Sequence, residues 1–392
     1  MNNYSREAYH SARQVADQTS EMRRVLTALN REGAYTEKGE QNFTEFKMPA
    51  FYVYEDKRWM AIICLKENQR LTVREALETD WMKHSDDYWF LKHALEHPAR
   101  VSSPEKAEMF VVGGLLNLIV EQPIWSAMKC CIGSMCDGEL IQDVEDMLLH
   151  SSWFNKSQGR NHVLVASHYE SRRRLQNFKS ISTCNWISFE HNELGDGRAE
   201  IASTYVGRKC PPANKTHDLA FIAKMKNREV FPERHDACRW LNETKLFRVS
   251  TCGQGQQCPA LAQARMGLHI RGDTFGSNRL MDMLTTDTVP VVTQQQQYHI
   301  LPPFFPWRKM TVFAPLDSKE HFFDGLKKAN ISTVQSFNAA KRIAYKLDWR
   351  HNYLFEQYIH AFWILSERIT WKELLLNIGT SRLDLQLKNG KN

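Results

Sequence analysis

The chain has 392 residues, of which 42% are hydrophobic and 11% aromatic, and this composition supports two folded domains and excludes a disordered protein. The formal net charge of +6 is small for this length, and no cluster of basic and aromatic residues suggests a nucleic-acid partner. No apolar run reaches the ~18 residues of a membrane span. The amino terminus also has no signal-like apolar segment.

Cysteines and glycosylation sequons bear on the compartment of the protein. None of the nine cysteines forms a CxxC pair, which argues against a zinc site, and their odd number leaves at least one without a disulfide partner in the chain. Six Asn-X-Ser/Thr sequons begin at Asn3, Asn42, Asn155, Asn214, Asn242 and Asn330. Because such sites are used in the secretory pathway, we expect the Golgi or secretory lumen. Any membrane contact would then run through an anchor that this sequence lacks.

The first half of the chain predicts an extension followed by an α/β domain. Residues 1–47 combine a weakly amphipathic helical pattern with a polar stretch and are expected to form a helical extension. The first domain is expected to span residues 48–212. Within it, apolar spacing predicts one helix over residues 72–97. The run from Met109 to Val120 predicts a buried strand with its following loop.

Candidate catalytic residues surround a core strand predicted at residues 163–166. The strand delivers His168 and Glu170 to its carboxyl end, which is where open α/β sheets bind ligands. His162 stands at the start of the same strand. We rank His168, Glu170 and His162, in this order, as proton acceptors. The alternatives are a structural role for His162 and a surface ion pair for Glu170 with the arginines that follow it.

The second domain is expected over residues 213–340, after a break that contains two prolines. It opens with a strand predicted at residues 218–223, and Lys224 and Arg228 follow as candidates for contact with phosphate. The last segment, residues 341–392, has helical periodicity and is expected to form C-terminal helices.

A strand, a glycine-containing loop, a helix and another strand follow in the second domain. The first strand ends in Arg271 and Gly272, the loop ends at Ser277, and Arg279 and Asp282 lie on the helix. Free N–H groups at a helix start, flanked by two arginines, suit a diphosphate. Asp282 is within plausible reach of a ribose hydroxyl pair. The alternative is a surface loop with solvated arginines, because a lone glycine-rich loop is weak evidence.

Residues 265–314 resemble the carboxyl-terminal signature of the exostosin family of glycosyltransferases. The shared pattern is Arg271-Gly272-Asp273, Ser277, Arg279, Asp282, Pro290-Val291, Pro303-Phe304 and Trp307 to Val312. Two runs of the first domain also resemble the family, Pro104 to Phe110 and Trp153 to His162, so the resemblance covers most of the chain. The chain departs from the family at Tyr169, where many members have aspartate, and at Lys224, where glycine is usual.

The resemblance implies an α/β protein of the GT-B type, with two Rossmann-like domains facing a cleft and a C-terminal helix crossing back. It implies a nucleotide sugar on the second domain, for which we favour a UDP-sugar, a glycan or polysaccharide acceptor, and inversion at the sugar. The sequence has no Asp-X-Asp motif, which the other common architecture needs for its metal. We therefore expect metal-independent transfer with no cofactor besides the donor. Family members often act in pairs, so a homo- or hetero-oligomer with a related transferase is a further expectation.

The alternative function is that of a catalytically weak or inactive exostosin-like protein that binds a glycan or a partner enzyme. The departures at Tyr169 and Lys224 motivate this alternative. Binding of nucleotides and their sugars, and its loss when Arg271 and Arg279 are both replaced by alanine, would distinguish the two.

Overall fold

A computed structural model describes residues 48–54, 58–78, 80–125, 128–195, 198–225, 228–244, 246–328 and 344–366. The extension predicted over residues 1–47 and most of the predicted C-terminal helices lie outside this range.

The strands, in chain order, are β1 (Phe51–Val53), β2 (Ile63–Lys66), β3 (Gln69–Thr72), β4 (Met109–Val111), β5 (Lys129–Ile132), β6 (Met135–Cys136), β7 (His162–Ala166), β8 (Asn185–Ser188), β9 (Glu193–Gly195), β10 (Arg198–Ala202), β11 (His217–Ile222), β12 (Val249–Gly253), β13 (Ala264–His269), β14 (Val289–Val292) and β15 (Val312–Phe313). The α-helices are α1 (Val73–Ala76), α2 (Asp86–Glu96), α3 (Leu116–Trp125), α4 (Gly138–His150), α5 (Ser152–Ser157), α6 (Ser171–Leu175), α7 (Lys179–Thr183), α8 (Pro232–Glu243), α9 (Gln257–Gln263), α10 (Asn278–Thr285), α11 (Trp307–Met310), α12 (residues 319–328) and α13 (Tyr353–Ser366).

The first large sheet has the order β1-β4-β7-β8-β10-β9, with all neighbours parallel except β9, which runs antiparallel at the edge. Every residue of β4, β7 and β8 is buried. Because helices cover both faces of a parallel sheet, both the inward and the outward side chains of such strands are buried. The carboxyl ends of β7, β8 and β10 therefore meet at one edge.

A small antiparallel sheet, in the order β3-β2-β5-β6, is inserted into the first domain. Two disulfides join residues that lie opposite each other across its strands, Cys64–Cys130 and Cys131–Cys136.

The second large sheet is fully parallel, with the order β12-β11-β13-β14-β15. The chain reverses direction across the sheet between β11 and β13, and ligands of open α/β sheets bind at such a switch point. Disulfides Cys238–Cys252 and Cys210–Cys258 lie in this half of the chain. Cys184 is buried and free, and is the unpaired cysteine that the odd count predicts.

Two predicted elements differ from the observed ones. The helix predicted over residues 72–97 is broken into α1, a 3-10 turn and α2. The run from Met109 to Val120 is a strand only as far as Val111, because α3 begins at Leu116. Its first N–H groups, those of Asn117 and Leu118, donate to the carboxylate of Asp87 at 3.0 and 3.3 Å, a cap that sequence spacing does not reveal. None of the described helices is long and apolar enough to cross a membrane.

The last described helix returns to the first domain. In α13, the side chains of Phe355, Tyr358 and Phe362 are fully buried in the core of the first domain, and the Tyr358 hydroxyl donates to the carbonyl of Ala202 at 2.7 Å. The Trp349 indole donates to the carbonyl of Thr204 at 2.8 Å. Two parallel α/β sheets thus face each other and a C-terminal helix crosses back, which confirms the predicted α/β fold of the GT-B type.

Candidate functional site

The two sheets present their carboxyl edges to one crevice. From the first domain, Glu190 and Tyr205 line it, beyond the ends of β8 and β10. From the second domain, the lining includes His269, Gly276 and Ser277, which lie between the end of β13 and the start of α10.

Arg279 lies in the first turn of α10, two residues after Ser277. Its Nε atom is buried without a hydrogen-bond partner, and within the described ranges no carboxylate forms an ion pair with it. Burial, reinforced by Arg234, lowers the pKa of Arg279 to about 10, so the side chain is still charged at pH 7. The carboxylate of Asp282 offsets this charge only in part, and a partly buried cation whose Nε atom has no hydrogen-bond partner favours an added anion. The amino end of the helix adds partial positive charge at the same place.

Arg234 is a further buried cation at this edge, which the sequence analysis missed. Its guanidinium donates to the carbonyl of Lys224, after β11, at 2.9 Å and to the carbonyl of Arg271, after β13, at 2.7 and 3.1 Å. The side chain is 4% exposed and stacks over the ring of Phe231. Arg234 therefore holds together the two strand ends at the switch point of the second sheet.

The side chain of Arg271 is partly exposed and pairs with Glu233 at 2.8 Å. Gly272 donates its N–H to the carbonyl of Thr274 at 3.0 Å, which curls the loop after β13. Lys224 and Arg228 are exposed beyond the end of β11. Of the predicted cations, the structure thus brings Arg279 next to the crevice lining, leaves Arg271 in an ion pair and leaves Lys224 and Arg228 at the surface.

Ser277 is oriented by a chain of buried polar side chains. The Gln297 amide oxygen accepts the N–H groups of Thr293 and Gln294, both at 2.9 Å, so its NH₂ group must donate to Nδ1 of His269 at 2.9 Å. Burial and Arg279 lower the pKa of His269 to about 3, which keeps the ring neutral, with its proton on Nε2. That N–H donates to the Ser277 hydroxyl oxygen at 3.0 Å. The Ser277 hydroxyl proton therefore remains free for a ligand.

Asp282 does not face the crevice as a ribose ligand. It is fully buried. Its Oδ1 accepts the N–H of Arg208 at 2.6 Å, and its Oδ2 accepts from the Gln257 amide and from Asn278, the latter at 2.9 Å. These contacts fasten the segment between the domains to α10. The expectation of a ribose contact is corrected on this geometry, because both carboxylate oxygens are already engaged.

The predicted bases are spread over both ends of β7. His162 is fully buried at the amino end of β7, where its ring bonds to Tyr54 at 2.9 Å and stacks on Phe110. It lies a strand length away from the crevice, so the structural alternative holds for His162. Glu170 pairs with Arg173 at 2.6 Å, which is the surface ion pair weighed against a catalytic role.

His168 lies at the carboxyl end of β7, behind the crevice wall, and is 1% exposed. Its Nδ1 accepts the N–H of Glu170 at 3.2 Å, and its buried Nε2 has no hydrogen-bond partner among the described residues. Burial, Lys83 and Arg174 lower the pKa of His168 to about 3. The ring packs 4.8 Å from that of His84, which in turn lies 5.3 Å from Tyr205 on the crevice.

Asp86 positions the strand ends of the first domain at this edge. Its carboxyl accepts from the hydroxyls of Ser167, after β7, at 2.7 Å and of Ser203, after β10, at 2.5 Å, and from the amide of Asn117 at 2.9 Å. Burial raises the pKa of Asp86 to about 7. The network fixes the loops that form the first-domain wall.

Glu190 is the second residue that the sequence analysis missed. It follows β8 in the way that His168 follows β7, so the rule that polar residues at strand ends form sites would have found it. Arg234 and Gln297 carry no comparable signal, since one lies on a helix and the other in a glutamine run. In the part of the chain that the structure describes, no group of three or more His, Cys, Asp or Glu side chains could hold a metal.

The family model of the Exostosin GT47 domain matches residues 47–322. No curated protein matches the chain significantly. Among solved structures, sucrose-phosphate synthase from Thermosynechococcus elongatus is 7% identical over 76% of this chain and 72% of its own, with a TM-score of 0.29. The pneumococcal O-GlcNAc transferase GtfA, solved with UDP and GlcNAc, is 9% identical over 57% of this chain and 48% of its own, with a TM-score of 0.23. Structural similarity at that level supports no argument about this chain. The match to the family model, in contrast, covers both large sheets. The chain therefore belongs to the exostosin GT47 family and is a glycosyltransferase.

Proposed function

We propose that the protein transfers a sugar from a nucleotide sugar, with UDP-sugars favoured, to a hydroxyl group of a glycan or polysaccharide, in one displacement that inverts the sugar and needs no metal. The observation that carries the proposal is Arg279, a partly buried cation at the amino end of α10 whose Nε atom has no hydrogen-bond partner and which forms no ion pair with the described residues.

Charge stabilisation of the leaving group is the main demand of such a reaction, because a nucleoside diphosphate departs as the bond to the sugar breaks. Arg279, the free proton of Ser277 and the first N–H groups of α10 supply it together. A guanidinium and a helix terminus can balance the charge of a diphosphate without a metal ion. Arg271, Lys224 and Arg228 remain candidates for contact with the outer part of the donor.

The first-domain side of the crevice supports a sugar acceptor. The ring of Tyr169, which is 38% exposed, lies 4.3 Å from that of His168 and 6.1 Å from that of Phe189. Exposed aromatic rings next to polar groups suit the apolar face and the hydroxyls of a sugar ring. The acceptor would then approach from this side and the donor from the second domain.

A secretory lumen fits the covalent chemistry of the chain. Four disulfides link the described cysteines other than Cys184. Disulfides are common in oxidising compartments and rare in the cytosol. The sequon residues Asn155, Asn214 and Asn242 are all exposed. Location in the Golgi and pairing with a related transferase are proposed from the family.

Calorimetric titration of the purified protein with UDP, GDP and their sugars tests the proposal. The wild-type chain should bind one nucleotide class, and Arg279→Ala should weaken this binding by about 10- to 100-fold, the range of a charge-assisted hydrogen bond. Arg265→Ala is the matched control, since Arg265 is exposed on the same half of the chain, on β13. No binding at millimolar nucleotide would refute the proposal, and unchanged binding by Arg279→Ala would refute the site.

The second candidate function is a catalytically weak or inactive relative that binds a glycan or a partner. Two observations favour it: Arg271 already pairs with Glu233, and Asp282 is already engaged by the segment between the domains. A screen for release of UDP from UDP-sugars by water alone separates the two candidates, since it needs no acceptor.

A further inference from the structure

We propose that Glu190 is the general base, which takes the proton from the acceptor hydroxyl as that oxygen attacks the sugar. This inference rests on the proposed function and names the catalytic residue of the same crevice. Among the described acidic residues, Glu190 alone lines the crevice.

Glu190 belongs to the first domain but reaches the donor loop of the second. Its Oε1 accepts from the hydroxyl of Thr274 at 2.8 Å and from the hydroxyl of Tyr205 at 3.4 Å. The N–H of Gly276 also stabilises the carboxylate, and a side chain on Gly276 would collide with it. Both hydroxyl bonds end on Oε1 and neither reaches Oε2, to which we assign the incoming hydroxyl. The carboxyl is therefore held between the acceptor side and the loop that precedes Ser277.

The backbone at Glu190 is strained, with φ of 47° in the left-handed region. A residue with a side chain adopts this conformation only at a cost, and such strain is concentrated at functional sites. The strain aims the side chain of Glu190 across the crevice instead of along the edge of the first sheet.

Its surroundings make Glu190 a better base than an ordinary surface carboxylate. Burial raises its pKa, and this outweighs the hydrogen bonds from Thr274, Gly276 and Tyr205, which lower it. Arg279, on the facing α10, lowers the pKa of the neighbouring Tyr205, which burial and Glu190 raise. A carboxylate with a raised pKa holds a proton more readily, which favours it as a general base.

The rival bases fit less well. The N–H of Glu170 occupies Nδ1 of His168, so the neutral His168 ring carries its proton on Nε2 and presents a donor, not an acceptor. The side chain of Glu170 is tied to Arg173. His162 is sealed at the far end of β7.

In the proposed transfer step, the acceptor oxygen forms a bond to the anomeric carbon of the donor sugar while the proton of that oxygen moves to Oε2 of Glu190. The bond from that carbon to the donor phosphate breaks, and its electron pair leaves on the nucleoside diphosphate beside Arg279 and Ser277. The proton on Glu190 returns to solvent after product release. No oxidant, metal or further reactant is needed for the balance.

The test is Glu190→Gln, which keeps the shape of the side chain and an oxygen to accept from Thr274 and Tyr205. We expect UDP release from the donor found by screening, with water or glycan as acceptor, to fall by about 10²- to 10⁴-fold. The Kd for nucleotide should stay within about twofold, and Tm should stay within about 2 °C of the wild-type value. Glu193→Gln, on β9, is the matched control and should keep wild-type turnover, since the Glu193 side chain pairs with His191 outside the crevice.

If Glu190 had only a structural role, the pH dependence of turnover and the turnover of Glu190→Gln would differ from these expectations. Wild-type kcat/KM should fall as pH decreases through the raised pKa of Glu190, because the base must be ionised. A Glu190→Gln protein that binds nucleotide and retains more than a tenth of wild-type turnover overturns this inference alone. A wild-type chain that binds no nucleotide overturns the proposed function and this inference with it.

Discussion

At the scale of single residues, we expect Arg279 to lower the stability of the free protein and to strengthen its binding of nucleotide. Its side chain is partly buried, its Nε atom has no hydrogen-bond partner and it forms no ion pair in the described chain, so the free protein bears part of the cost of removing that charge from water. We expect Arg279→Met to raise Tm by about 2 °C or more while it weakens nucleotide binding. Differential scanning fluorimetry of the nucleotide-free protein checks the first effect. A lower Tm would mean that Arg279 has a structural partner instead of an awaited ligand.

A second residue-scale prediction concerns the chain from Gln297 through His269 to Ser277. Gln297→Glu keeps the acceptor for the N–H groups of Thr293 and Gln294 but cannot donate to His269. The His269 proton should move to Nδ1, so that the Ser277 hydroxyl donates to the ring and is lost to the ligand. Nucleotide affinity should fall by about 5- to 10-fold, the worth of one hydrogen bond.

Nitrogen-15 chemical shifts of the His269 ring report the change of tautomer directly. The exposed neighbour Gln295, replaced by Glu, is the control that adds the same charge without touching His269. If both variants weaken binding equally, added charge is responsible and the orientation of Ser277 is not.

The site shows what a sequence can reveal about individual residues. Polar residues that follow apolar strands are visible in the sequence, which is why His168, Arg271 and Ser277 were predicted near the sheet edges where they lie. Whether a side chain turns to the crevice depends on distant partners. Asp282 accepts from Arg208, in the segment between the domains, and from Gln257, on α9. Arg234 reaches the switch point of the second sheet from α8. Such contacts between distant segments leave no local pattern.

At the scale of elements, α10 is packed directly against the segment that leaves the first domain. A Cβ on Gly207 would lie 3.1 Å from the backbone carbonyl of Met281 and 3.0 Å from Thr285. Because a helix backbone cannot move aside locally, Gly207→Ala should cost about 1–3 kcal/mol of unfolding free energy. Gly138→Ala is the control, since a Cβ there meets nothing within 4 Å. Urea denaturation should show destabilisation only for Gly207→Ala.

Element types were easier to predict than element ends. The strands β7 and β13 and the helix α10 have unmistakable apolar periods, and the structure has them where the sequence indicates. The break between α1 and α2 escaped prediction because apolar spacing continues through residues 72–97, and the start of α3 escaped it because Asp87 of α2 supplies the cap. A cap supplied from 30 residues away cannot be recognised locally.

At the scale of the whole molecule, covalent links are expected to decide stability. The disulfide Cys210–Cys258 ties the end of the first domain to the second across 48 residues, and Cys64–Cys130 closes 66 residues of the first. Loops of this length imply a cost of roughly 2–5 kcal/mol for each bond removed. Reduction with dithiothreitol should therefore lower Tm markedly.

Peptide mapping without reduction should recover four linked pairs and one alkylated cysteine, Cys184. In material secreted from eukaryotic cells, PNGase F should release glycans at Asn155, Asn214 and Asn242, which are exposed. Five or more alkylated cysteines, together with unmodified sequons, would contradict a lumenal protein.

The segment from Ser203 to Gly207 is both the back wall of the crevice and the tether between the lobes. Trp349 and Arg350 donate hydrogen bonds of 2.8 Å each to its carbonyls at Thr204 and Gly207. The side-chain amide of Asn192, in the first lobe, donates to the carbonyls of His299 and Leu301 in the second. A wide hinge motion would have to break both bonds of Asn192 between the lobes. We therefore expect donor binding to change only the conformation of the loop over residues 272–277, while the two lobes keep their relative position. Small-angle X-ray scattering should then give the same envelope with and without the donor.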